Sequence, residues 1–240
     1  MKTIPIKGVI VPNEDKWIYD WFELDACCPA EVIKALKEAD GDEVTFEINS
    51  PGGEISAGSE LWYSIKTYQN KTIADIVGYA CSAASYLSMA ADTVRMVPTA
   101  LMMIHNVSGG ANGNKHAMTK EADVLQTADE AISNAYRIKT GMSREEILKL
   151  MDDETWMDST KAQELGFIDE IIGEFNEEKK NEKITGLYNA AGIGKLLSDE
   201  VKQKVRNMVK DPDAGLKEGN QDFLIQTKLN LLKLGGDTYV

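Results

Sequence analysis

Val44-Thr45-Phe46-Glu47-Ile48 runs into Asn49-Ser50-Pro51-Gly52-Gly53, and further on Thr72-Ile73-Ala74-Asp75-Ile76-Val77 runs into Gly78-Tyr79-Ala80-Cys81-Ser82-Ala83-Ala84. Each is an apolar, β-branched run that stops at small or turn-forming residues, the pattern of a buried strand ending in a loop. Between them, Leu61, Trp62, Ile65 and Tyr68 recur at helical spacing, which predicts a helix over about Ala57 to Tyr68. Strand, helix, strand in that order is the unit of a parallel sheet covered by helices.

Outward from this unit the alternation continues. Ile4 to Val11 is a short apolar run holding Pro5 and Gly8, suited to a strand near a sheet edge. Val32, Ile33, Leu36 and Ala39 give a helix over Pro29 to Ala39, with Pro29 in its first turn. Thr72 to Val77 reads as a strand closed by Gly78, and Ser82 to Ala91 as a helix of small residues. Val94 to Val97 and Leu101 to Ile104 are two further strands, parted at Pro98. Lys115 to Thr140 is one long helix ended by Gly141, and Ser143 with Glu146 forms a capping box for the next. Loops at the carboxyl ends of such strands are where ligands bind in open α/β sheets.

The bulk properties narrow the function. A net charge of −13 excludes a nucleic-acid interface built on clustered Lys and Arg. No apolar run is long enough to span a bilayer, and Met1 to Ile6 lacks the core of a signal peptide, so the expected location is the cytoplasm. Cys27, Cys28 and Cys81 have no disulfide-framework spacing and read as reduced packing residues. With two histidines, no metal site or cofactor is expected. Charge is unevenly spread, −14 over residues 1–175 and +1 over 176–240. A boundary near Phe175 follows: a compact body over 1–175 and an extension over 176–240. Glu177 to Lys183 reads as a linker, and Val201 to Lys210 and Leu224 to Leu234 as loosely attached helices.

Three short blocks carry the candidate chemistry. A serine hydroxyl attacks a carbonyl only when a base takes its proton and donors hold the developing oxyanion. Ser82 follows a strand and opens a helix, where backbone N–H groups favour an anion; by itself it is equally a helix N-cap. His105 ends the run Leu101-Met102-Met103-Ile104, and alone it is equally a packed or surface imidazole. Asn49-Ser50-Pro51-Gly52-Gly53 is a tight turn whose glycines allow a backbone N–H close to a substrate carbonyl. Cys81 is a rival nucleophile beside Ser82. Ser85, one turn on, reads as packing, and His116 as solvated.

In order, Asn49-Ser50-Pro51-Gly52-Gly53, Gly78-x-Ala80-x-Ser82 and Met103-Ile104-His105 resemble the signature blocks of the Clp protease proteolytic subunit. The long helix, Gly141-Met142-Ser143 and Ala162-x-Glu164-x-Gly166-x-Ile168-Asp169 also match, so the resemblance covers residues 4 to 174. It implies a Clp/crotonase-like α/β fold of repeated β-β-α (βαβ) units with a protruding handle helix. It also implies a serine endopeptidase with Ser82 as nucleophile, His105 as base, and the backbone N–H groups of Gly53 and Ala83 as oxyanion donors. The third triad position falls on Glu154, two residues before Trp156, where the family carries Asp; Asp153 and Asp152 are adjacent alternatives.

The resemblance further implies a peptide or protein substrate and a ring-forming homo-oligomer. The family's N-terminal docking segment has no counterpart ahead of Ile4, and residues 176–240 extend past the family core. That combination resembles the head maturation proteases of tailed bacteriophages, which implies capsid or scaffold proteins as partners, no ATPase partner, and work in the host cytoplasm or prohead interior. Two rival readings stand beside it: a crotonase-type acyl-CoA enzyme, and a non-catalytic ring that serves assembly.

Overall fold

A computed structural model describes residues 2–173 and 197–210. Its main sheet takes strands β1 (Lys2–Lys7), β4 (Val44–Ser50), β5 (Thr72–Cys81), β6 (Thr93–Met96) and β9 (Glu170–Ile171) in spatial order, all pairing parallel. A small parallel pair, β2 (Val9–Ile10) with β3 (Ala26–Cys27), lies beside it. The helices α2 (Pro29–Glu38), α3 (Ile55–Lys66) and α4 (Ala83–Ser88) are crossovers between parallel strands, as the alternating pattern predicts.

Burial follows strand position. β4 is central, with a run of buried residues on both faces including Phe46 and Ile48. β1 alternates buried Ile4 and Ile6 with outward residues and bonds only to β4. Proline lacks an N–H for a second ladder, so Pro5 is tolerated on this edge. One core joins these strands to α2, α3, α4 and the far helices through residues such as Leu61, Leu87, Tyr136 and Phe167.

The sequence reading placed the end of β5 at Gly78. The strand in fact continues to Cys81, because it changes neighbours part-way along. Ile73–Ile76 pair with Thr93–Met96 of β6, whereas Tyr79–Cys81 pair with Leu101–Met103 of β7 (Leu101–Ile104). The Asn49 side chain accepts the Tyr79 N–H at 3.0 Å where the β4 register shifts, so the ladder is bridged rather than broken. β7 in turn pairs antiparallel with β8 (Thr155–Met157).

The long helix α5 (Lys115–Thr140) has the bounds read from the sequence, ending at left-handed Gly141. Ser143 and Glu146 form the expected capping box for α6 (Arg144–Asp152). The short helix α7 (Ser159–Glu164) leads into β9. A helix that the periodicity did not suggest, α1 (Lys16–Trp21), receives α8 (Asp199–Lys210). Ile18 and Phe22 pack with Val201 and Val205, and buried Asp15 faces both Lys202, at 2.7 Å, and Arg206. The expected linker over Glu177 to Lys183 and helix over Leu224 to Leu234 lie outside the described residues. No helix among the described residues is long and apolar enough to cross a membrane.

Candidate active site

Register alone brings Ser82 and His105 together. β5 and β7 are parallel neighbours with Cys81 opposite Met103, so the residues that follow each strand leave the same edge of the sheet side by side. The Ser82 N–H donates to the Met103 carbonyl at 2.9 Å, extending the ladder by one bond. His105 Nε2 then lies 2.8 Å from Ser82 Oγ, within the reach a general base needs.

Ser82 stands in a strained turn, with φ 52° and ψ −121°. A positive φ in a residue with a side chain costs on the order of 1–3 kcal/mol and persists only where the surroundings enforce it. Here the strand ladder on one side and α4 on the other do so, and Ser82 makes no side-chain cap for that helix. The N-cap reading of Ser82 therefore fails in its usual form: the hydroxyl is turned to His105 rather than to the helix amides.

The glycine turn supplies the opposite wall. Gly52 has φ 96°, and a Cβ there would stand 2.5 Å from the Cys81 carbonyl oxygen and 2.7 Å from the Ser82 Cβ. Gly53 has φ 153°, and its Cβ would fall 2.0 Å from the Ile10 carbonyl oxygen. Ile10 N–H donates to the Gly52 carbonyl and Glu54 N–H to the Ile10 carbonyl, so the turn is held against β2. The N–H groups of Gly53 and Ala83 donate to no group among the described residues, and both residues line the same cavity of about 450 Å³ as Ser82, His105, Ile132 and Tyr136. That arrangement offers two free donors beside the hydroxyl, the chemical requirement for holding an oxyanion.

Burial depresses the basicity of His105 below its ordinary value, while the charges of Glu154 and Asp129 push it back up. Glu154 follows the C-terminus of α6, with φ 45° and its Oε1 3.3 Å from the Trp156 indole N–H. Of its neighbours, Asp152 Oδ1 accepts from the Asn106 amide at 2.7 Å, and Asp153 serves as the C-cap of α6. Asp129 escaped the sequence reading. It lies on α5 with Oδ1 accepting the Val107 N–H at 2.6 Å, two residues beyond His105. The sequence signal was its spacing from Ile132, Ser133 and Tyr136, which form the inward face of α5.

The bystanders separate clearly. Cys81 is 1 % exposed, and burial pushes its thiol up to about 12, which disfavours the thiolate a nucleophile requires. Cys27 and Cys28 are buried free thiols. Ser85 Oγ donates to the Ser82 carbonyl at 2.7 Å and meets Tyr136 Oη at 2.8 Å, a packing role. His116 is exposed at the start of α5.

The Clp protease family model matches residues 28–175. The ATP-dependent Clp protease proteolytic subunit 1 of Chlamydia muridarum is 34% identical over 156 residues, which are 62% of this chain and 81% of that protein. Its counterpart from Protochlamydia amoebophila is 30% identical over 162 residues, 64% of this chain and 79% of that protein. The ATP-dependent Clp protease proteolytic subunit of Mesostigma viride is 30% identical over 169 residues, 70% and 74% of the two chains. Both the matched span and the strand-end pairing of a serine with a histidine lead to one assignment: this chain belongs to the Clp protease family of serine peptidases.

Proposed function

We propose that the chain is an endopeptidase in which Ser82 is the nucleophile and His105 its general base. The observation that carries this reading is the 2.8 Å contact between His105 Nε2 and Ser82 Oγ beside two unused backbone donors. His105 takes the Ser82 proton as the hydroxyl attacks a peptide carbonyl, and the amides of Gly53 and Ala83 hold the oxyanion. The protonated imidazole then gives its proton to the departing amine, and water releases the acyl group by the reverse sequence. Glu154 stabilises the imidazolium by charge. The substrate is a protein or peptide, and the working unit is a ring of identical chains stacked through α5. Residues 1–175 form the peptidase unit and 176–240 an extension to it.

The test is intact mass after reaction with a fluorophosphonate, run beside Ser82→Ala, His105→Ala and Cys81→Ala. One adduct, lost in Ser82→Ala and kept in Cys81→Ala, supports the assignment, and peptide hydrolysis falls by several powers of ten in Ser82→Ala and His105→Ala. No adduct on folded wild-type protein overturns it and favours the acyl-CoA enzyme or the non-catalytic ring, which thioester turnover then separates.

A narrower role is proposed on the extension, which begins where the family match ends at residue 175. In this role the enzyme matures phage heads by cleaving capsid or scaffold proteins inside a prohead, without an ATP-driven partner. Cleavage of a co-expressed scaffold protein by the purified chain without ATP supports it. Cleavage that requires an added unfoldase and ATP overturns it and aligns the chain with relatives named as ATP-dependent.

A further inference from the structure

The expected third member of the site is poorly placed to act alone. Glu154 projects from a left-handed residue, and its Oε1 is engaged by the Trp156 indole. An imidazole that receives a proton at Nε2 needs a fixed acceptor or anion near its other side, or the ring rotates and the cation is left unsupported. His105 Nδ1 makes no hydrogen bond among the described residues.

A second carboxylate is better anchored. Asp129 is half-buried on α5 and holds the Val107 amide at 2.6 Å, so it grips the segment that carries His105. Its Oδ2 makes no hydrogen bond among the described residues. The helix itself is docked beside the nucleophile, since Tyr136 Oη meets Ser85 Oγ at 2.8 Å and Ile132 lines the cavity that holds Ser82. Three features of α5 thus converge on the serine–histidine pair: an anion, a cavity wall and a hydroxyl tie.

We propose that Asp129 is a positioning residue for His105, fixing the segment Asn106–Val107 and adding its negative charge to that of Glu154 in steadying the imidazolium. This rests on His105 being the base for Ser82. The charged groups facing His105 are Glu154 from the turn before β8, which acts the more strongly, and Asp129 from α5, while Asp152 at the end of α6 acts on Asp129. Both anions raise the basicity of His105, so removing either charge lowers it and moves the acid limb of reactivity to lower pH.

The experiment is the rate of fluorophosphonate labelling of Ser82 across pH in the full chain, for wild type, Asp129→Asn, Asp129→Glu and Glu154→Gln. Asparagine keeps an oxygen for the Val107 N–H, so the loop stays anchored while the charge is lost. Asp129→Asn is expected to slow labelling roughly tenfold or more on the plateau. Its acid limb moves down by on the order of one pH unit, while Asp129→Glu keeps the limb near that of wild type. Glu154→Gln is expected to move the limb at least as far as Asp129→Asn but to leave the plateau rate closer to that of wild type, since Glu154 does not anchor the Val107 segment. A limb unmoved in Asp129→Asn but displaced in Glu154→Gln overturns the proposal. If Asp129→Asn fails to fold, a limb in Asp129→Glu as far displaced as that of Glu154→Gln overturns it equally. Absence of labelling in wild type strikes instead at the base assignment, so the two failures are distinct.

Discussion

Ser85 Oγ and Tyr136 Oη lie 2.8 Å apart in the core, joining the helix that follows Ser82 to the long helix α5. The Ser85 proton is committed to the Ser82 carbonyl, so Tyr136 is the donor between them. Both side chains are at most 1 % exposed, and burial pushes the Tyr136 hydroxyl well above its ordinary value. The backbone of Ser82 is therefore reached from α5 through two hydroxyls in series.

The two ends of that chain differ in what their loss leaves behind. Tyr136→Phe removes the donor while Ser85 keeps its carbonyl partner, costing about 1 kcal/mol in urea denaturation. Ser85→Ala strands a buried tyrosine hydroxyl without a partner, costing roughly 1–3 kcal/mol. Equal destabilisation of the two variants would show that the donor order is reversed.

Gly52→Ala should abolish peptide hydrolysis while leaving the protein folded at reduced stability. A methyl there meets the Cys81 carbonyl and the Ser82 Cβ, neither of which can give way without shifting the strand end. The positive φ alone costs the alanine roughly 1–3 kcal/mol. Parallel thermal melts and fluorophosphonate labelling test this. Wild-type labelling by the variant would show that the turn relaxes away from the serine.

The pH profile follows from the burial of His105. A base must be neutral to accept the serine proton, and burial disfavours its charged form, so its folded value lies below 6.5. The half-maximal point of peptidase activity should therefore lie below pH 6.5. A half-maximal point well above 6.5 in kcat/KM would mean that the carboxylates outweigh burial.

The docking of α8 on α1 depends on one buried anion. Asp15 is 4% exposed and faces Lys202 and Arg206. Asp15→Ala should raise the rate of tryptic cleavage in the C-terminal segment roughly tenfold or more, since a buried charged hydrogen bond contributes about 1.5–3 kcal/mol. Cleavage at wild-type rates would assign the docking to Ile18, Phe22, Val201 and Val205 alone.

Much of this architecture is legible in the sequence because it is governed by local rules. The period of α5, its glycine stop and the Ser143–Glu146 box are short-range signals, and all three hold. The end of β5 was misread because Gly78 is normally a breaker. What carries the strand past it is the Asn49 side chain, a partner from another strand. Helix α1 was missed for a different reason: it is six residues long, so the spacing of Ile18 from its C-cap Phe22 spans a single turn, and the partners of these two residues lie on α8, far along the chain. Asp129 was missed as a site residue because its helical spacing from Ile132, Ser133 and Tyr136 marks only a shared face of α5; the docking of α5 is what brings it to the segment after His105. Ser82 and His105 were singled out through the order of several blocks, because each alone has an ordinary explanation.

The change of partners midway along β5 has a consequence for how the site is maintained. Ser82 and His105 follow adjacent strands just past a shared ladder, so their spacing is set by main-chain hydrogen bonds, with the Asn49 side chain the one side-chain bridge along the way. The carboxylates have no such ruler. They come from a helix and from a turn whose seating depends on side chains, so tilting α5 would disarm the imidazole while leaving the serine–histidine contact intact. The dyad is built into the weave of the sheet, whereas its electrostatic support is detachable.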